Sequence, residues 1–473
     1  MEILREQIRS IVGQEHLVCD ARALAPYYAE SIAFVPERPP LFAARPGTVD
    51  ELRCILTTAN LNRVPVTPFS SAQNGYGGSI PSIPGITIDL RRQNAIHSID
   101  VGTRNAIIEP GVTFGQLQAA AKANGLRVLT PVELPCDSSV ISTYVDMAPL
   151  YAWPRYGTET ILTMEVMLPN GEILKTGIGA IPVVDKPYFP FGSIPAYLNK
   201  IWFGAQGTLG IVTRAVVKLK TDFESKEVLF IPFPSLPATF AALREFKRLD
   251  YPVESFLVNA TYLASLLASD GADFIALQKD LPPVTAVLVL RGEEPEVAYQ
   301  KEDLHDLGKK LDLGIHDSLP GRMRAREQLL DEIAMPEGYV RFRRLKGGYA
   351  SIPFICMTAQ IPVFTRVIGQ ITQAFGYDMR DIGELLVPVE PARVHFQYSL
   401  YYDPANPKEK MVARKVFEAL SATLIKMGAF FSRPYGSWAS QVYEKASLYK
   451  TVLRDIKQEL DPQRIMNPGK LDL

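Results

Sequence analysis

The sequence predicts an α+β protein of two or three domains, on three observations. The chain has 473 residues, more than a domain of ordinary size. Up to Thr221, short β-like runs are interleaved with amphipathic helical stretches. Beyond Thr221 longer strands alternate with helices, the pattern of a separate α+β domain with an antiparallel sheet.

In the first block, residues 1–35 read as mostly helical and 41–45 as a strand. Thr48-Val-Asp-Glu51 is a capping-box pattern, and Leu52, Ile55, Leu56 and Ala59 follow it at helical spacing. The next strand is 64–68, followed by short β-like runs at 86–90, 96–101 and 105–109. Thr113-Phe-Gly-Gln116 caps another helix, which Gly125 ends. Runs 163–168 and 173–176 flank Pro169-Asn170-Gly171, a hairpin signal, and 210–219 closes the block as a strand. In the second block, 228–233, 284–290, 349–357 and 393–401 read as strands, with helices near 236–249, 295–311, 359–375 and 408–427. The tail, 443–460, reads as one amphipathic helix ending at Asp461-Pro462.

Composition excludes several function classes. Apolar residues make up 47% and charged residues 21%, a globular balance that supports sizeable cores. A formal net charge of −1 offers no basic field for nucleic acid. The cysteines Cys19, Cys54, Cys136 and Cys356 contain no CxxC pair, which argues against a disulfide framework and against a zinc site. The opening Met-Glu-Ile-Leu-Arg-Glu-Gln-Ile-Arg lacks the apolar core of a signal peptide. No apolar run approaches the ~20 residues of a membrane helix, so a cytoplasmic protein is expected.

The stretch Val-Thr-Pro-Phe-Ser-Ser-Ala-Gln-Asn-Gly-Tyr-Gly-Gly-Ser, residues 66–79, follows a strand and carries no charged side chain. A loop of small residues exposes closely spaced backbone N–H groups, and such a nest binds a pyrophosphate by dipoles. Gly75, Gly77 and Gly78 permit close backbone approach; a plain Gly-rich turn fits the same residues. There is no GxGxxG between strand and helix, no GxxxxGK[ST], no GxSxG and no HExxH, which sets aside Rossmann, P-loop, α/β-hydrolase and zincin chemistry. The five histidines (His16, His97, His305, His316, His395) form no metal-ligand spacing, and no metal site is expected.

Taken together, Ser70-Ser-Ala-Gln-Asn-Gly-Tyr-Gly-Gly78, Ile108-Glu-Pro-Gly-Val-Thr113 and Met164-Glu-Val-Met-Leu-Pro-Asn-Gly-Glu172 resemble the FAD-binding domain of the vanillyl-alcohol oxidase / p-cresol methylhydroxylase family. The resemblance continues through Leu174-Lys-Thr-Gly-Ile-Gly-Ala-Ile-Pro182, Thr208-Leu-Gly-Ile-Val-Thr213 and Asp461-Pro-Gln-Arg-Ile-Met-Asn-Pro-Gly-Lys470. It implies a PCMH-type FAD-binding domain built from both chain ends, residues 1–222 and 441–473, with an α+β cap domain inserted at 223–440 and carrying an antiparallel sheet. It also implies FAD as cofactor. Main-chain amides of Ser71, Ala72, Gln73, Asn74, Gly75, Tyr76 and Gly77 would hold the pyrophosphate. Ser138, Ser139, Val140, Gly207, Gly210, Ile211 and Val212 lie in segments that resemble those contacting adenine and the flavin ring. Lys470 is either a flavin contact or a solvated C-terminal charge.

Phenol-oxidising members of that family bind a phenolate beside the flavin, and hydride leaves the para alkyl carbon. A cation and hydroxyl donors stabilise the ring oxygen and lower the barrier. On that resemblance Tyr76, Tyr151 and Arg433 are the candidate catalytic residues, although Ser432 stands where the family has a second tyrosine. A guanidinium fork suits a substrate carboxylate equally well. Leu134 replaces the family's Asp near flavin N5; Glu133 or Asp137 substitutes for it, or both are loop charges. Tyr349 falls where members tether FAD covalently, and is otherwise an ordinary strand tyrosine. His395 is a proton relay or a structural residue.

The reading that follows is an FAD-dependent oxidoreductase acting on a small aromatic, a para-substituted phenol. A D-2-hydroxy-acid dehydrogenase of the glycolate/lactate type is the alternative, and a flavin-binding subunit without turnover a third. The resemblance implies an electron acceptor among a cytochrome, an electron-transfer flavoprotein, an iron–sulfur subunit and oxygen, and a homo-oligomer.

Overall fold

The computed structural model describes residues 2–29, 31–71, 75–152, 159–180, 198–239, 242, 245, 246, 249, 251, 253–390 and 392–473. The first sheet is small. Phe42–Ala44 and Val66–Phe69 both run parallel to Ile86–Asp89 between them, and Leu17–Val18 adds an antiparallel edge. The helix Val49–Leu61 makes the crossover and buries Leu52, Ile55, Leu56 and Ala59 in the core beneath this sheet. Thr48 caps it as expected, accepting from the Glu51 amide at 3.1 Å. The Glu51 carboxylate reaches back one residue further than a standard box, to the Gly47 amide at 2.7 Å.

Residues 1–35 are less helical than expected. The first helix, Glu2–Val12, stops where Gly13 takes φ 87°, a conformation glycine adopts at little cost. Leu17–Val18 then leaves the helix to pair with Ala43 and Ala44.

The second sheet has five antiparallel strands in the order Ile96–Asp100, Asn105–Ile108, Ile211–Lys218, Ile161–Met167, Ile173–Lys175. The expected hairpin at Asn170-Gly171 joins the last two. Thr113 makes a complete capping box with Gln116 at the start of the helix Phe114–Lys122.

The third sheet lies in the second half of the chain. Its six antiparallel strands run Ser225–Phe233, Val284–Gly292, Glu254–Asn259, Ile382–Glu390, Arg393–Tyr402, Gly348–Met357. Glu254–Asn259 and Ile382–Glu390 are strands that the sequence reading did not place. Helices Ile361–Ala374 and Pro407–Lys426 bury Phe364, Ile368, Phe417 and Leu420 in the core formed with this sheet. No described helix is long and apolar enough to cross a membrane.

A buried charge triad links the second and third sheets' neighbourhoods. Glu254, fully buried, pairs with Arg127 Nη1 and with Arg291 Nε, each at 2.8 Å. Arg127 belongs to the short strand Leu126–Arg127, which pairs with Lys220–Thr221, while Glu254 and Arg291 lie on adjacent strands of the third sheet.

The tail forms two helices, Ser437–Glu444 and Ser447–Leu460, rather than the single one expected; Ala446 breaks the run at φ −119°, ψ 50°. After the second helix the chain returns to the first sheet. The Val66 amide donates to the Ile465 carbonyl and the Asn467 amide to the Val66 carbonyl, both at 2.8 Å. Lys457, buried, fixes this return: its ammonium bonds Asp461 and the carbonyls of Thr208 (2.7 Å) and Met466 (2.8 Å).

Candidate functional site

The strand Val66–Phe69 leads into the small-residue loop, whose Ser70, Ser71, Gly75 and Tyr76 line a cavity. Gly77 takes φ 80°, and a Cβ there would lie 2.8 Å from Val35 Cβ, so only glycine fits. The tail braces the loop through its carbonyls. Lys470 Nζ donates to Gly77 O at 3.0 Å and Ile80 O at 2.7 Å, and Asn467 Nδ2 donates to Gly78 O at 3.1 Å. Burial brings the Lys470 ammonium down to about 8.

Above the loop lies a cavity that encloses, with the solvent at its mouth, about 1150 Å³. Both ends of the sequence line it. Ser70, Ser71, Gly75 and Tyr76 come from the loop; Leu134, Ser138, Ser142 and Asp146 from the next segment; Trp202, Gln206, Gly207, Gly210, Ile211 and Val212 from the approach to the second sheet; Arg433 and Tyr435 from the segment just before the tail's helices, and Asn467 from the tail.

Five lining residues each present a buried polar atom without a hydrogen-bond partner among the described residues: Ser138 Oγ, Trp202 Nε1, Gln206 Oε1, Arg433 Nη2 and the Tyr435 hydroxyl. Native proteins leave few such groups, and each requires a reason. All five belong to residues that line this cavity, and a polar ligand there would satisfy them.

Arg433 stands at the centre of the charge in this region. It is 5% exposed, its guanidinium carbon lies 4.8 Å from the Tyr76 ring centroid, and no carboxylate among the described residues is within ion-pair range. Tyr76 stacks on Tyr435 with centroids 5.4 Å apart and planes 10° apart. Its hydroxyl donates to Glu133 Oε2 and is 3.1 Å from Ser351 Oγ. Glu133 Oε1 accepts from the Tyr349 hydroxyl at 2.6 Å and from Gln397 Nε2 at 3.0 Å.

Residues 40–177 match the family described as FAD binding domain, and residues 396–471 match FAD linked oxidases, C-terminal domain. The 4-cresol dehydrogenase [hydroxylating] flavoprotein subunit of Pseudomonas putida is 24% identical over 511 residues, covering 98% of this chain and 94% of that protein. Glycolate oxidase subunit GlcD of Bacillus subtilis is 27% identical over 495 residues, covering 99% and 96%. The solved structure of 4-ethylphenol oxidase from Gulosibacter chungangensis, in complex with isoeugenol, superposes with a TM-score of 0.86 at 20% identity, covering 99% of this chain and 96% of that one. The chain is an FAD-linked oxidoreductase with a PCMH-type FAD-binding domain.

The residues of this oxidoreductase fit FAD. The cavity is lined from both ends of the chain, and the five orphaned polar atoms supply donors and acceptors along it. A Cβ at Gly207 would meet Pro68 Cγ at 2.5 Å and its φ is 71°, so the backbone there is held flat against the strand that carries the loop. Of the expected FAD contacts, Ser71, Gly75, Tyr76, Ser138, Gly207, Gly210, Ile211 and Val212 line the cavity. Ala72, Gln73 and Asn74 lie outside the described residues.

Other expected residues are placed elsewhere. Ser139 caps the helix Val140–Val145 and donates to Pro110 O at 2.6 Å, so it builds the wall from behind; Val140 is buried in the core of the second sheet. Gly77 and Lys470 are not in the lining; Lys470 is buried, so it is not a solvated charge, and it braces the loop. The Tyr349 hydroxyl, also outside the lining, is engaged by Glu133 and, at 2.8 Å, by Ser399. Tyr151 donates to Val132 O at 3.0 Å. Asp137 is exposed on its loop and does not line the cavity.

Electrostatics separate the remaining candidates. His395 is buried in the strand Arg393–Tyr402, and burial with nearby Arg433 lowers it to about 3, so the imidazole is neutral at physiological pH. That makes it a poor proton relay. Burial raises the Glu133 carboxyl, against the lowering effect of its Tyr349 and Tyr76 hydrogen bonds. Asp146, which the sequence reading missed, lines the cavity; burial raises its carboxyl to about 6, with Arg433 pulling the other way. Tyr435, Trp202 and Gln206 were missed as well, since each is an unremarked residue until the fold turns its polar atom inward.

Proposed function

We propose that this oxidoreductase removes a hydride from a small aromatic substrate, a para-substituted phenol. One observation carries the reading: Arg433 is buried beside the Tyr76 ring, on the cavity wall, with Nη2 unpartnered among the described residues. A buried guanidinium without an anion is costly, and a phenolate oxygen supplies the anion and the acceptor together. Tyr76 and Tyr435 add an aromatic wall against which a phenyl ring packs. FAD, when bound, supplies the hydride acceptor. Arg433 holds negative charge on the phenol oxygen, which favours loss of hydride from the para carbon.

A D-2-hydroxy acid is the second reading, because the guanidinium fork matches a carboxylate too and a glycolate oxidase subunit is among the relatives. Against it, no histidine among the described residues lines the cavity as a base for the hydroxyl proton.

Anaerobic mixing separates the two. The flavin absorbance of the purified protein is expected to bleach with 4-ethylphenol and to persist with D-lactate and glycolate. Bleaching by the hydroxy acids alone would overturn the phenol reading.

A further inference from the structure

Tyr76 has a single proton, and it points at Glu133 rather than into the cavity. A tyrosine so committed cannot donate to a substrate oxyanion until that proton moves. Glu133 is 3% exposed and accepts from Tyr76 on one oxygen and from Tyr349 and Gln397 on the other, with Ser351 also lowering its carboxyl through a hydrogen bond. Among the described residues no cation is within ion-pair range of it. Such a carboxylate is fully hydrogen-bonded yet unneutralised, in a dry site that favours taking up a proton.

Resting on the phenol reading above, we propose that Glu133 is the sink for the substrate's phenolic proton, with Tyr76 as the intervening carrier. A neutral phenol enters with its O–H against the Tyr76 oxygen. The Tyr76 proton passes to Glu133 Oε2, and the phenol proton passes to the Tyr76 oxygen. The substrate is left as phenolate facing Arg433 and accepting from Tyr76, and Glu133 is left as a neutral carboxylic acid donating to Tyr76. No proton enters from or leaves to solvent, and charge is conserved within the site.

The surroundings permit both protonation states. Ser351 Oγ, 3.1 Å from the Tyr76 oxygen, can rotate to donate or accept, and so can Ser399 Oγ behind Tyr349 at 2.8 Å. The ionisable groups that face Glu133 are Tyr76 from the loop, Tyr151 from the segment after it, Tyr262 and Tyr339 from helices, Tyr349 and Tyr401 from strands, and Arg433. Apart from Arg433 these are tyrosines that burial keeps neutral. Burial also raises Glu133 itself, which narrows the gap between the carboxyl and a phenol and eases the transfer. Glu133 acts through Tyr76, so it is a positioning residue rather than one that touches substrate.

The test uses the FAD-loaded protein and 4-nitrophenol, a phenol with no para carbon to oxidise and with a visible band only when ionised. At a pH below the pKa of free 4-nitrophenol, the wild type is expected to bind it as the phenolate with no proton released to a dilute indicator buffer. E133Q is expected to bind it neutral, or as phenolate with release of one proton per ligand. Tyr76→Phe, which leaves Glu133 in place, is expected to behave as E133Q does and guards against a folding defect in one variant. Ionised ligand without proton release in either variant, as in the wild type, would overturn the relay. Failure of the wild type to bind 4-nitrophenol at all would instead remove the phenol reading on which the relay rests.

Discussion

Replacing Arg433 by Ala is expected to slow flavin reduction by 4-ethylphenol roughly 10²–10³-fold, the usual cost of deleting one donor to a developing oxyanion. FAD content should be nearly unchanged. Arg433 contributes one buried side chain to a cavity whose loop, braced by Lys470 and Asn467, does not depend on it. Arg433→Lys should recover little, because the ammonium is a point charge on a shorter reach and lacks the planar fork. The measurement is a pair: the anaerobic rate of flavin bleaching, and the flavin-to-protein absorbance ratio of the purified variant. Parallel loss of rate and of FAD would mean that Arg433 holds the cofactor or the fold instead of the substrate.

Glu254→Ala is expected to destabilise the protein by about 3–5 kcal/mol, the range for breaking a buried ion pair by removing one partner. The substitution leaves Arg127 and Arg291 buried, close to one another and without their shared carboxylate. Burial and Arg291 already lower the Arg127 guanidinium, and Glu254 is the main group opposing them. The check is the denaturant midpoint, which should fall at unchanged slope. The triple variant Arg127→Met, Glu254→Leu, Arg291→Met should restore most of the loss, since a packed apolar trio avoids desolvating three charges. A midpoint unmoved by Glu254→Ala would mean that water or a neighbouring group neutralises the arginines.

Local chemistry made much of the fold readable. Thr48 and Thr113 start helices where a capping side chain precedes an amphipathic run, and the Pro169-Asn170-Gly171 turn joins two strands. Readability failed where tertiary pairing overrides local pattern. Ile382-Gly-Glu-Leu-Leu-Val-Pro-Val-Glu390 contains a glycine, charged residues and a proline, all poor strand signals, yet it fills a central position between Glu254–Asn259 and Arg393–Tyr402. Leu17–Val18 is a strand only because Ala43 and Ala44 offer it an edge.

The site shows the same division. The loop 66–79 and the Gly207–Val212 segment were legible because small residues in order leave a mark in sequence. Arg433 was legible through its motif. Asp146, Trp202 and Tyr435 were not, because nothing adjacent to them signals that their polar atoms turn into one cavity. Glu133 was named for its charge, but its partnership with Tyr76 and Tyr349 spans widely separated segments that only the fold brings together. For Lys470 the sequence leaves a flavin contact and a solvated charge open; in the fold it is buried and bonds the loop's carbonyls, where the tail held by Lys457 and Asp461 returns to the first sheet.

On the phenol reading, the guanidinium on the cavity wall receives the anionic oxygen of the substrate. A crystal structure of the FAD-loaded protein with bound 4-nitrophenol tests it most directly. The phenol oxygen is expected about 3 Å from Arg433 Nη2 and from the Tyr76 hydroxyl, within ordinary hydrogen-bond range. An Arg433 side chain bonded to the cofactor's phosphates, or a ligand bound away from it, would mean that the guanidinium does not hold the substrate oxygen.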